Sequence, residues 1–432
     1  MEVKRIFPLK TVGYALFALA FVALGVFTFD RQIKTGAMSY PKPAIPAVDS
    51  HIHSQGSELD KMRYMSRVNN IRSHLVVGSA DVTLKGRGGF VGFRKNNSDL
   101  LESSRESGGA LFTLPTLDLD EDEAEELLRQ YVKEGAIGLK LYDGHGNFYK
   151  KPLTAPEKKR IYKLCDELNI PILYHINLDK YGDQLESILA EFPNLKIIVP
   201  HFGLWSKKFD KLSALLDKFP NLYLDVSFGA DKFTYNGLMG ISKNNKKMRE
   251  FLIKYRKRVL FGSDIVVTDS GKKTKQWCAG LQNCIREMLE KEEYRCPPLT
   301  QEIKKLNKDD ELKERRLVKR DENPLYKGVN LPEEALRDIL YRNAVRLYPK
   351  LAALFTTDEL GGELLGELRK MGDKGEGKVW GRRVLRAVEE RRKGVGKEAG
   401  SPDKEGSKIL APPERKRNLF KPLLPPHLRG KK

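Results

Sequence analysis

From residue 47 to residue 263 the chain alternates short apolar runs with longer stretches in which apolar residues recur every three or four positions. Eight of the short runs read as strands: Ala47–His53, His74–Ser79, Ala110–Leu117, Ala136–Tyr142, Pro171–Ile176, Lys196–Phe202, Leu222–Phe228 and Val259–Ser263. Each is rich in β-branched or aromatic residues and is bounded by turn residues. The segments between them carry helical stripes. Glu121–Glu134 aligns Leu127, Leu128 and Tyr131, and Ala155–Asn169 aligns Ile161, Leu164, Cys165 and Leu168. Similar patterns fall at 183–192, 207–218, 244–256 and 277–292, with a last helix at Pro332–Tyr348. Strands that alternate with helices pair in parallel, because parallel neighbours need a crossover between them. Eight such units over about 250 residues predict an α/β fold, a closed (β/α)8 TIM-type barrel. An open doubly wound sheet would carry a Gly-rich phosphate loop after its first strand, and Ser54-Gln55-Gly56-Ser57 is not one.

The pattern breaks down at both ends of the chain. Thr11 to Phe29 is a run of 19 residues without a charge, close to the roughly 20 that cross a bilayer as a helix. Its length, and the poor cleavage context of Phe27-Thr28-Phe29-Asp30, predict an uncleaved transmembrane signal anchor. Residues 1–10 form a short basic N-terminus, and 30–46 a linker stiffened by the prolines of Ser39 to Pro46. An N-terminus facing inward would put the catalytic domain on the non-cytoplasmic side, although the flanking Lys and Arg are nearly balanced. The expected barrel domain is 47–350, with a charged insertion at 302–327. Residues 351–432 read as a basic low-complexity tail, largely disordered, with one short helix at Trp380–Arg392.

Composition adds limits. Of the 432 residues 40% are hydrophobic, enough for a sizeable core, and a 31% charged fraction argues against a multi-span membrane protein. The formal net charge is +20, and between Asp358 and Lys432 twenty Lys and Arg face twelve Asp and Glu. No nucleic-acid-binding motif accompanies this charge, so nucleic acid is not an expected partner. None of Cys165, Cys278, Cys284 and Cys296 forms a Cys-x-x-Cys pair, which argues against a thiolate zinc site. Cys165 reads as a small core residue. A disulfide among the other three stays open if the domain lies outside the cytoplasm. The oligomeric state is also open, a homodimer included.

The candidate chemistry follows from position. In a parallel barrel the catalytic groups sit at the C-terminal ends of the strands. Four of the seven histidines fall there: His51 and His53 on the first strand, His175 on the fifth and His201 on the sixth. Asp264 closes the eighth, in Phe261-Gly262-Ser263-Asp264. Residues two apart on a strand share a face, so His51 and His53 can both turn into the mouth. Imidazoles and a carboxylate together suit zinc or a similar divalent ion. Each signal alone is weak: a buried His is often hydrogen-bonded core, and Asp264 could cap a helix. Five such residues on four strand ends are harder to obtain by accident. His74, which starts a predicted strand, and His427 in the tail serve as non-functional controls.

These residues resemble the amidohydrolase superfamily, specifically the amidohydrolase-related family that includes the carboxymuconate-semialdehyde decarboxylase-like branch. The matching stretches are Val48–His53, Ile170–His175, Phe192–Gly203, Val259–Asp264 and Ile339–Leu347, in family order. The resemblance implies that His51, His53, His175 and Asp264 ligate one divalent metal, zinc by preference. His201 would act as base or orient water or substrate, though in other amidohydrolases its counterpart is a ligand. Lys140, ending the fourth strand, has three readings: a carboxylated bridge to a second metal, a positive charge for an anionic substrate, or an ordinary strand-end lysine. Asp264 would hold the proton of the attacking water and pass it to the leaving group. His201 could stabilise oxyanion charge. Tyr142 and His145, in the loop after strand four, are candidate substrate contacts, with a plain surface turn as the alternative for that loop. Trp205 either lines the pocket or opens the next helix. The expected activity is hydrolysis of an amide, ester or lactone in a small molecule by a membrane-tethered enzyme. The alternative on the same site is non-oxidative decarboxylation of an unsaturated or aromatic carboxylic acid.

Overall fold

The computed structural model describes residues 42–296 and 325–372 together with Val388, apart from Ser57, Arg87, Ala230 and Lys272. Eight strands succeed one another along the chain: β1 (Ala47–Ser54), β2 (Ile71–Val77), β3 (Leu111–Leu114), β4 (Leu139–Gly144), β5 (Ile172–Ile176), β6 (Ile197–Val199), β7 (Leu222–Asp225) and β8 (Val259–Leu260). All are parallel to their neighbours, in two ladders. One runs β3-β2-β1 and ends on β9 (Val266–Val267); the other runs β4 to β8. A parallel bridge from Thr116 to Lys140 joins β3 to β4. At the other seam Ser50 N donates to Phe261 O (2.9 Å) and Ser263 N to His51 O (3.2 Å), while β9 pairs with the end of β1. Joining both seams is what a closed (β/α)8 barrel requires.

Burial explains the strand composition. Every residue of β1 is buried, including its polar ones. Strands covered on both faces read as near-continuous apolar runs, as Leu111–Leu114 and Ile197–Val199 do. The crossover helices start where the chain supplies a cap. Pro156 opens Pro156–Glu167, Asn177 accepts from Asp179 N ahead of Leu178–Glu191, and Thr274 accepts from Trp277 N ahead of Lys275–Glu290.

The structure departs from the sequence expectations in several places. β2 begins three residues early, so His74 sits inside it, fully buried, with Nε2 bonded to Ser66 Oγ at 3.0 Å. β8 is two residues long, because the chain turns sharply at Gly262–Asp264 before β9 resumes the pairing. The expected last helix forms as Glu333–Arg337 and Asn343–Leu347 around a π-helical turn at Asp338–Arg342. A disulfide joins Cys284 to Cys296 with a Cα–Cα distance of 5.2 Å, and Cys165 and Cys278 are buried. It ties the helix Lys275–Glu290 to a two-stranded ladder of Glu293–Tyr294 with Tyr326–Lys327, where the expected insertion ends. Residues 302–324 of that insertion, the anchor at 11–29, most of the linker and the helix at Trp380–Arg392 lie outside the described residues, Val388 apart. Among the described residues, no helix is long and apolar enough to cross a membrane.

The tail does not begin at 351. A 3-10 turn at Pro349–Leu354 leads into a helix, Thr357–Gly372, whose Leu360, Leu364 and Leu368 are buried. Its apolar stripe, spaced four residues apart, was masked by surrounding Gly and charge. The helix lies across the N-terminal end of the barrel, where Glu359 pairs with Arg72, Glu363 with Lys257 and Glu367 with Arg346. Replacing Leu364 with Ala should destabilise the protein by about 2–5 kcal/mol, read as a lower midpoint in urea unfolding. An unchanged midpoint would show that this helix is no part of the folded body.

Candidate metal centre

At the C-terminal ends of the strands, three imidazoles converge on one carboxylate. His53 Nε2 lies 2.7 Å and His51 Nε2 3.1 Å from Asp264 Oδ1, and His201 Nε2 lies 3.5 Å from Asp264 Oδ2. The opposite nitrogen of each ring is held. His51 Nδ1 donates to Asp225 Oδ2 (2.9 Å), His53 Nδ1 is bonded to Ser79 Oγ (2.7 Å), and His201 Nδ1 to Ser227 Oγ (2.9 Å). Anchoring one nitrogen fixes the ring and aims the other, the arrangement found around metal-ligating histidines. His51, His201 and Asp264 have donor atoms within 4.8 Å of one another. His53 reaches them through Asp264, and His175 through its ring, 5.0 Å from that of His201. Lys140 Nζ stands 3.2 Å from His51 Nε2.

Local backbone conformation sets these positions. Asp264 has φ +53° and its N–H donates to His51 O at 2.6 Å, so the turn that ends β8 is pinned to β1. His201, at φ +58°, opens a turn that continues left-handed through Phe202, Gly203 and Leu204. Non-glycine residues held this way cost about 1–3 kcal/mol each. Gly262 admits the close approach of the seam, since a Cβ there would sit 3.0 Å from His51 Cβ.

Burial works against every charge in the centre, and the contacts decide which survive. Burial alone would raise Asp264, but His51 and His53 hold its carboxyl well below the usual range. Asp225 is likewise opposed by burial, yet its hydrogen bond and charge contact with His51 bring it down to about 2. Burial pushes His53 down to about 4 and His175 well below its ordinary value, and it lowers His201. In His51 the pull of Asp264 and Asp225 outweighs burial, and the pKa rises. Lys140 falls to about 8 through burial, with Asp264 and Asp225 resisting. Ionised carboxylates beside mostly neutral imidazoles are the donor state a divalent cation needs. The raised affinity of His51 for a proton marks where a positive charge is stabilised. The residues therefore fit a metal ion.

Asp225, Ser227 and Ser79 escaped the sequence reading. Asp225 takes part in four bonds, accepting from His201 N (3.0 Å), Ser227 N (3.0 Å), Ser227 Oγ (2.5 Å) and His51 Nδ1. It closes the seventh strand, so the strand-end rule that found Asp264 could have found it. Of the substrate candidates, Lys140 lies inside the centre. The Tyr142 hydroxyl is committed to Gly78 O (2.8 Å), leaving its ring 4.9 Å from Lys140 Nζ. His145 is half-buried, its ring 4.8 Å from that of His175. Trp205 donates Nε1 to Asp179 Oδ1 and lies away from the cluster.

The amidohydrolase family model matches residues 48–350. No curated protein matches the sequence. Among solved structures, a probable 2-pyrone-4,6-dicarboxylic acid hydrolase from Acinetobacter baumannii is 14% identical, covering 71% of this chain and 100% of its own, with a TM-score of 0.45. A zinc-bound amidohydrolase from Burkholderia multivorans is 12% identical over 70% of this chain and 99% of its own, at 0.45. A 2,6-dihydroxybenzoate decarboxylase is 13% identical over 71% and 99%, at 0.42.

Asp225→Asn keeps the shape of the side chain but weakens its hold on His51. It should lower zinc affinity about 10–100-fold, measured by competition with a chelating dye. Unchanged affinity would show that the Asp225–His51 contact does not organise the centre.

Proposed function

The chain belongs to the amidohydrolase family, and on that footing we propose that it is a metal-dependent hydrolase of an amide, ester or lactone bond in a small molecule. The observation that carries this reading is the convergence of three imidazoles, each held through Nδ1, on the buried carboxylate of Asp264. His51, His53, His175 and Asp264 are the proposed ligands of one divalent ion, zinc by the nitrogen–oxygen character of the set. A carboxylated Lys140 would extend the site to two ions. The ion would polarise the scissile group and make water nucleophilic at neutral pH. Asp264 would hold the proton of the attacking water and pass it to the leaving group. His201 Nε2, which faces Asp264 Oδ2 and is left as an acceptor because Nδ1–H goes to Ser227 Oγ, would accept a hydrogen bond from the water and orient it.

The second reading, decarboxylation of an unsaturated or aromatic acid, is favoured by Lys140. Its ammonium group, 3.2 Å from His51 Nε2, would meet a substrate carboxylate beside the centre. The place of action belongs to the same proposal: residues 11–29 as a single-pass anchor, with the barrel on the non-cytoplasmic side. The Cys284–Cys296 bond supports it, because disulfides persist in oxidising compartments.

Purified protein should carry stoichiometric divalent metal by elemental analysis. It should turn over a member of a panel of lactones, amides, esters and unsaturated acids, with carbon dioxide release separating the two reactions. Protein without metal whose activity survives His51→Ala would end the proposal. The division of labour has its own test. His175→Ala should lose metal, whereas His201→Ala should keep it and lose about 10²–10³ in kcat; the reverse pattern would exchange the two roles.

A further inference from the structure

The seventh strand ends beside the candidate metal centre, and the chain then passes Gly229 into the helix Asp231–Lys243. Gly229 has φ +88°, a conformation that strains any residue with a side chain. It borders the centre itself. A carbon at its Cβ position would stand 3.6 Å from Asp264 Oδ2 and 3.8 Å from Cδ2 of Phe233, both ordinary van der Waals distances. Among the described residues beyond its chain neighbours, it would meet no other atom within 4 Å. The space between this carboxylate and this ring therefore admits a methyl-sized group.

Phe233 is 49% exposed. An exposed phenylalanine by itself needs no explanation, but the placement of this one is built into the fold. Thr234 Oγ1 donates to Gly229 O at 3.2 Å, which ties the first turn of the helix to the glycine. Farther along, Gly237 lies so close to the half-buried Phe228 that a Cβ there would overlap the ring, so a glycine is what lets the helix settle on the strand end. Near its last turn, Ser242 Oγ accepts from Lys327 N at 2.7 Å. A ring held in place before a ligand arrives loses little freedom on binding it. The reaction as described so far uses neither Gly229 nor Phe233.

We propose that Gly229 and Phe233 form an apolar subsite for an alkyl substituent next to the cleaved bond, so that the substrate class is the aliphatic amides, esters or lactones that carry such a chain. The assignment rests on the reading of the chain as a metal-dependent hydrolase. The glycine leaves the room and the phenyl ring supplies the surface. An anionic substituent would face the Asp264 carboxylate here, and a polar one would give up water to the ring without gaining a partner. Each methylene buried against the ring should tighten binding about 4-fold.

The test measures Kd for acetohydroxamate and butanohydroxamate on full-length, metal-loaded protein by titration calorimetry. Both probes chelate the metal through the same group, so its contribution cancels in the ratio of the two values. The two added methylenes should tighten binding about 15-fold. In Phe233→Ala the ratio should fall below about 4-fold, and Phe233→Leu, which returns an aliphatic surface, should keep most of it. A side chain exposed to this extent can be replaced without opening the core, and metal content read on the same preparations reports on the centre. A wild-type ratio near one, or a ratio that survives Phe233→Ala, overturns the subsite and leaves the hydrolase reading standing. Failure of both probes to bind the metal-loaded protein overturns that reading and the subsite with it.

Discussion

Two buried carboxylates, Asp264 and Asp225, lie at the mouth of this barrel, and the surrounding site is organised by the need to keep them charged. A buried ion costs several kcal/mol unless partners compensate it. Asp225 meets this need with two backbone N–H groups, a hydroxyl and an imidazole. Among the described residues, the Asp264 carboxylate is met by imidazoles, with Lys140 further off. A proton is held most readily on His51, where contact with both carboxylates outweighs burial and the pKa rises, whereas burial carries His53 down. A divalent cation would satisfy the same demand, and it would displace that proton rather than add to it.

Backbone strain is found at the same centre. Left-handed residues occur at His201 and at Asp264, the two positions where a side chain must leave a strand end and turn back over the centre. At Asp264 this interrupts the last strand after two residues, and pairing resumes only at β9. The barrel thus gives up regular hydrogen bonding at its final seam, where β1 brings two histidines. Elsewhere the ladders run in register, except at the irregularities in β1 and at the end of β4. Those two strands carry His51, His53 and Lys140.

Much of this was legible in the sequence because it depends on short-range rules. Alternating apolar runs revealed the strands, and the preference for chemistry at strand ends picked out His51, His53, His175, His201 and Asp264. What stayed hidden depends on pairs distant in the chain. Asp225 shows its importance only when β7 brings it to His51, 174 positions away. Ser79 and Ser227 are common residues whose role is set by the ring they hold. The helix Thr357–Gly372 was obscured differently: its leucines keep a helical spacing, but the surrounding composition resembles a tail. Boundaries moved at both ends of the barrel, by three residues at the start of β2 as at the end of β8.

The two ends of the barrel divide these tasks. The mouth holds the left-handed His201 and Asp264, the Asp264 and Asp225 carboxylates and the half-buried rings. The opposite end is closed by leucines and by ion pairs such as Arg72–Glu359 and Arg346–Glu367. The N-terminal segment belongs to that closed end. Pro43 O and Ala44 O accept from Asn70, in the turn that leads into β2, and Ile45 O accepts from Arg286. Residues 43–45 thus join the barrel on the face away from its chemistry. The loops around the centre lie at the other end, where they can be shaped to a ligand without disturbing the contacts that close the barrel's N-terminal face.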